Sequence, residues 1–396
     1  MTSIASKSMD KKISLLIKVF IFINLLCPYV NKISYRNCTL ILGNVFIGMA
    51  VMLLIVKKNI KNADNIFVIF LFIILVIYNV LAFINNVQYN NYYIEQINKS
   101  ISFMFFISIL SKIDYEFLKK NNVITFLLKT ITLSLVLSII YHFVIGGDAI
   151  RFENYGVDFS RRWTFSDDRL TWVFGHKSTY ALMLVLFISI GLKFKDFFKR
   201  KKEYIFFIVV NLIVAKLISS ATLIILLILI FTTYYIKNYN FKKYKIIALL
   251  LIPIVIIFAI LAFYCAFNVI GKQRDLSTIG SRTYIYKAAI DNIKYFPNGV
   301  GKDFGNIFVN AQVVQVENFH NIFLNEIFRF SIPVGFMYFL LHILVSFRGI
   351  SINRDIFSLS IICSCFVMFF IDYSLRTEQL SIYLFLIYIC IYVKEN

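Results

Sequence analysis

Apolar runs close to the ~20 residues that cross a bilayer as helix alternate along the chain with short polar breaks. In lipid a backbone must satisfy its own hydrogen bonds, so these runs predict helices. They fall at 13–30, 38–56, 65–84, 101–113, 123–146, between 178 and 193, then at 204–218, 221–236, 246–267, 322–347, 356–373 and 380–393. The fourth is short for a span, and Pro253 would bend the ninth if it sits mid-helix. The pattern predicts an all-α integral membrane protein, a polytopic bundle of about twelve transmembrane helices forming one domain over 1–396. No internal repeat is visible.

Two polar stretches break the pattern. One, 147–178, is rich in charge of both signs, including Arg161, Arg162, Asp167, Asp168 and Arg169. The other is a large loop over 268–321. Within it Ile285, Ala288, Ala289, Ile293 and Phe296 recur at helical spacing while Lys287, Asp291 and Lys294 fall on another face, which predicts an amphipathic helix. Ser281 is a candidate N-cap and Pro297-Asn298-Gly299 a stop. Gly299-Val300-Gly301 follows no strand, so it is not a dinucleotide fingerprint.

Composition agrees with a membrane protein, since 60% of residues are hydrophobic against roughly half in soluble domains. The net charge of +20 is explained by where it lies. Lys57, Lys58 and Lys61, then Lys119 and Lys120, residues 193–202, and Lys237 to Lys245 occupy alternate loops. This positive-inside pattern puts both termini in the cytoplasm and both polar stretches outside, and it calls for no nucleic acid. The six cysteines sit in or beside apolar runs, without zinc or disulfide spacing. The acidic residues are scattered and form no evident metal-ligand cluster.

Lys129, His142, Lys216, Glu326, Arg329, His342 and Asp372 fall inside predicted spans and should face the bundle interior. Glu326 and Arg329, three apart, are expected to pair. His320-Asn321 opens the tenth span. There the helix dipole disfavours added positive charge, which suits a proton acceptor, although a helix-capping role would place a His equally well.

Ser281-Arg282 with its amphipathic helix, Pro297-Asn298-Gly299-Val300-Gly301, His320-Asn321-Ile322-Phe323-Leu324 and Ile332-Pro333-Val334-Gly335 follow one another in an order that resembles the external loop of the O-antigen polymerase and O-antigen ligase family. Upstream, Arg169 and the run to Gly175-His176 resemble a second family segment, with His176-Lys177-Ser178 departing from the family's Gly-His-Pro-Asn-like run. Ser219-Ser220 occupies the place of a short Ser-containing external turn.

The resemblance implies a GT-C-like membrane glycosyltransferase that needs no metal or cofactor and acts on the outer face of the bacterial cytoplasmic membrane. Its donor and acceptor would be undecaprenyl diphosphate-linked glycans, with membrane lipids and a chain-length regulator protein as further candidate partners. Arg169 and Arg282 are then expected to hold the diphosphate, and His320 to take the proton of the attacking hydroxyl. Asn321, His176, Lys216, Arg162 and Ser219 are the candidate substrate-binding residues. A polymerase building O-antigen or capsular polysaccharide is the expected activity. The alternatives are a ligase using lipid A core as acceptor and a flippase of lipid-linked oligosaccharide.

Overall fold

The computed structural model describes residues 2–27, 32–35, 38–57, 65–86, 93–145, 170–238, 282–300, 319–372 and 374–394. Arg162, Arg169, Ser281 and the predicted span at 246–267 lie outside them. The described chain is helical apart from one antiparallel hairpin. In order it forms α1 (Thr2–Leu26), β1 (Lys32–Tyr35), β2 (Cys38–Ile41), α2 (Leu42–Val56), α3 (Asn65–Asn86), α4 (Tyr93–Lys112), α5 (Tyr115–Lys120), α6 (Val123–Ile145), α7 (Lys177–Lys193), α8 (Lys201–Ile218) and α9 (Ala221–Asn238). Then follow α10 (Arg282–Ile293), α11 (Ile322–Arg329), α12 (Ile332–Asn353), α13 (Ile356–Ile371) and α14 (Thr377–Ile387), which runs on into a π-helical turn at Tyr388–Tyr392.

Ile66–Ile84, Val123–Val144, Ala221–Asn238 and Ile332–Asn353 are long and apolar enough to cross a membrane, and Leu42–Val56, Ile356–Ile371 and Thr377–Tyr392 are shorter apolar helices. This is a helical membrane protein. At its centre is α7, apolar around nearly its whole circumference, as a helix without a solvent or lipid face must be. Every residue from Ser178 to Leu192 is buried. The apolar side of α3 is by contrast exposed, with Ile66, Ile69, Phe70, Ile73 and Phe83 open.

Three predicted spans change shape. The second begins as the β1–β2 hairpin, with Lys32 opposite Ile41, and only α2 is helical. The fourth starts at Tyr93, not at 101, so Glu95 and Lys99 belong to a helix of 20 residues rather than to a loop. Polar residues hide that start in the sequence, because Glu95, Gln96, Asn98 and Lys99 face protein rather than lipid.

The tenth span is broken in two. Pro333 has no N–H and its ring would clash with the carbonyl of residue 329 in a continuous helix, so α11 ends at Arg329. Ser331 then caps α12, its side chain accepting from the Val334 N–H at 3.4 Å. Instead of continuing, α11 lies back along α12. Ile327 meets Gly335, where an added Cβ would fall 2.2 Å from Ile327 Cγ1 and 2.9 Å from its backbone nitrogen. Phe323 stacks edge-on to Phe339 at 4.8 Å and faces His342 at 6.0 Å. From Gly335 to these contacts is roughly 12 Å or less of helical rise, so the start of α11 sits well below the start of α12. The same Phe323 touches Phe369 and Phe370 at the end of α13.

Glu326 and Arg329, expected to pair with each other, pair instead with α4. Glu326 takes the Lys99 Nζ at 2.6 Å and the Tyr78 hydroxyl at 2.6 Å, while Arg329 Nη1 donates to Glu95 Oε1 at 2.7 Å.

Gly299 joins the loop after α10 to the α11–α12 turn. It has φ +78°, and a Cβ there would lie 2.8 Å from the Phe330 carbonyl carbon, beside a hydrogen bond from the Val300 N–H to the Phe328 carbonyl at 2.6 Å. Gly299→Ala therefore combines the left-handed penalty of about 1–2 kcal/mol with a backbone clash. Thermal unfolding of the purified protein in detergent should show a lower midpoint, and an unchanged midpoint would contradict this packing.

Candidate active site

Where α11 dips against the end of α13, His320 and Asp372 meet. His320 precedes the N-cap Asn321, whose side-chain oxygen accepts from the Phe323 and Leu324 N–H groups at 2.9 and 3.0 Å. Asn325 closes the turn from the other side, accepting the Phe319 N–H at 3.0 Å. Between these caps His320 takes a left-handed φ of +48°, which costs a side-chain-bearing residue about 1–2 kcal/mol. The imidazole points toward the end of α13.

There, His320 Nδ1 lies 2.9 Å from Asp372 Oδ1. The second carboxylate oxygen, Oδ2, accepts the hydroxyl of Ser178, in the first turn of α7. His176, the N-cap of α7, accepts the Ser178 N–H on its Nδ1 at 3.2 Å. The Asp372 carboxylate, its Oδ2 already taken by the Ser178 hydroxyl, accepts on Oδ1 as well, so His320 Nδ1–H is the donor and the ring's lone pair sits on Nε2. A histidine held in one tautomer by a buried carboxylate is an oriented proton acceptor.

The roof over this junction is α10. Ile285, Ala288 and Ala289 are buried while Lys287 and Asp291 are exposed, the division that the periodicity predicts. Ile285 and Ala289 pack with Val300, Phe319 and Phe328. Tyr286 reaches furthest down: its hydroxyl donates to the Phe370 carbonyl and lies 3.5 Å from the His320 carbonyl oxygen. Arg282 stands one helical turn before Tyr286, at the first residue of α10. Tyr286→Phe should cost about 1 kcal/mol of docking energy, seen as faster amide exchange in α10 with exchange in α7 unchanged. Equal exchange in both proteins would mean that the hydroxyl does not hold the roof.

The predicted residues divide into two groups. His320, Asn321 and His176 come together, with the backbone of Arg282 above them. Lys216 and Ser219 are exposed at the end of α8, where Ser219 has φ +51°, and take no part in the hydrogen bonds that assemble the pair. Leu170, next in sequence to Arg169, donates its N–H to the Leu217 carbonyl at 3.2 Å, so the described start of that segment lies against the same end of α8. Trp172 anchors it further, donating Nε1–H to Ser134 at 2.9 Å. Sequence reading did not assign Asp372, Ser178 or Tyr286 to the site. Asp372 carried one signal, that of an ionisable residue at a span end which had to face inward.

Residues 204–339 match the family model for O-antigen ligase. That segment is similar to the O-antigen polymerase and ligase family. It covers α9, α10 and α11, all but the first residues of α8, and the first part of α12, and so includes Arg282 and His320, while His176, Ser178 and Asp372 lie outside it. Members of that family are membrane glycosyltransferase-like enzymes, ligases and polymerases. The chain matches no curated protein.

Proposed function

We propose that the protein is a polymerase of undecaprenyl diphosphate-linked oligosaccharide repeat units, a bundle of about twelve spans with both termini in the cytoplasm and its site on the outer face of the cytoplasmic membrane. The observation that carries the reading is the His320–Asp372 pair, oriented for proton acceptance beneath an amphipathic helix and lying partly within the matched segment.

In this reading the acceptor sugar hydroxyl attacks the anomeric carbon of the donor glycan. The bond from that carbon to the diphosphate oxygen breaks, and its electron pair leaves with the lipid diphosphate. His320 Nε2 takes the hydroxyl proton, Asp372 stabilises the resulting imidazolium, and the proton then passes to water or to the released diphosphate. Arg282 and Arg169 offset the charge that grows on the leaving group, a task suited to the planar guanidinium fork.

The description of the matched family, O-antigen ligase, favours one second reading. A ligase shares the donor chemistry and differs in its acceptor. The purified protein in liposomes, given labelled lipid-linked repeats alone, is expected to form products longer by whole repeats. Transfer only when lipid A core is added would establish the ligase, and movement of label across the bilayer with no transfer product would establish a flippase.

A further inference from the structure

The segments that carry His320 and Asp372 are both tied to α4, and the proposed chemistry makes no use of that tie. The far end of α11 binds α4 through Glu326 with Lys99 and through Arg329 with Glu95. Lys99 also lies 3.1 Å from Glu95, so two acids and two bases form one charge-balanced group. Glu95 Oε1 accepts a third partner, the Thr377 hydroxyl at 2.9 Å. Thr377 opens α14, five residues after Asp372. One carboxylate thus joins the helix that begins beside His320 to the strand of chain that leaves Asp372.

Packing alone does not call for such a group. Lys99 and Glu326 are 4% and 3% exposed, and taking charges that far from water costs several kcal/mol per ion, a cost that apolar residues of similar volume avoid. What ion pairs add over apolar contacts is a fixed register, because each hydrogen bond is directional. The register here runs between the two backbones whose side chains must meet at Nδ1 and Oδ1.

We propose that Glu95, with Lys99, Arg329 and Thr377, positions His320 against Asp372 for the transfer reaction. The inference rests on the reading of that pair as the proton acceptor. Glu95 bonds Arg329, Lys99 and Thr377 rather than His320, and acts through the placement of α11 and residue 377.

The test uses the full chain in liposomes with lipid-linked repeats. Thr377→Val keeps the side-chain shape and removes the hydroxyl. It is expected to lower kcat about 10-fold with the donor KM unchanged, since small misplacements of a proton acceptor are costly, and Thr377→Ser is expected to restore the rate. In an Asp372→Asn background Thr377→Val should add little further loss, because both changes remove one alignment. Wild-type kcat in Thr377→Val, or a loss that adds in full to that of Asp372→Asn, would overturn the proposal.

A readout without turnover separates it from the reading on which it rests. With four histidines in the chain, the Nδ1 proton of His320 can be followed by NMR in histidine-labelled protein. A shift of that proton in Thr377→Val supports the positioning role even if no glycan is transferred, in which case only the polymerase reading falls. An unmoved proton overturns the positioning role whatever the turnover.

Discussion

His320→Ala is expected to lower the rate of glycan transfer by about 10²- to 10⁴-fold, the usual contribution of a positioned acid or base, with a much smaller change in donor KM. The direction follows from the place of the imidazole. Its Nδ1 is committed to Asp372, so its work falls to Nε2, and no described neighbour of the pair is built to replace it. Ser178 already gives its proton to Asp372, and His176 uses its Nδ1 as a helix cap. In cells deleted for the gene, His320→Ala should leave single-repeat material and no long-chain ladder on a polysaccharide gel. A normal ladder from well-expressed protein would remove His320 from proton transfer. Loss of even the single repeat would point to ligation or flipping instead.

The fold was legible wherever the pattern was local and one-sided. The predicted spans at 65–84, 123–146 and 221–236 correspond to α3, α6 and α9 within two residues at every bound, because each is a sustained, predominantly apolar run. The face of α10 was legible for the same reason, since its 3.6-residue period is written in consecutive residues. Polarity misled where a helix faces protein. The first turns of α4 carry Glu95, Gln96, Asn98 and Lys99, and their partners lie on α2, α3, α11 and α14, which no window of the sequence brings together. Pro333 was the opposite case. Its conflict with residue 329 is local and marks the break, but the apolar run on both sides of it reads as one span.

The candidate site was half legible. A His beside a helix start is a local signal, and the resemblance in residue order lent it weight. The residue that orients it stands 52 positions away, and the serine that completes the carboxylate's hydrogen bonding is 194 positions from Asp372. Both pairings are products of tertiary structure. The break at Pro333 is what permits them: by folding back, α11 lowers His320 to the level where α13 ends. Had the span been continuous, its first residues would extend beyond the start of α12, away from Asp372.

Asp372→Asn is the second large effect, and it tests orientation without emptying the site. The amide is nearly the same size as the carboxylate, so packing against the α7 start should survive. Its charge is gone, and the imidazolium that forms during transfer loses its counter-ion. An amide nitrogen turned toward His320 would also donate where the carboxylate accepts, which favours the tautomer with the lone pair on Nδ1 and leaves Nε2 protonated. A carboxylate-to-amide change of this kind in a His-Asp pair can cost about 10⁴-fold in kcat with geometry intact; a loss of at least about 10²-fold is expected here. If Asp372→Asn kept wild-type kcat while His320→Ala lost it, His320 would act without a fixed tautomer, and the carboxylate would be only a buried partner of the α7 cap.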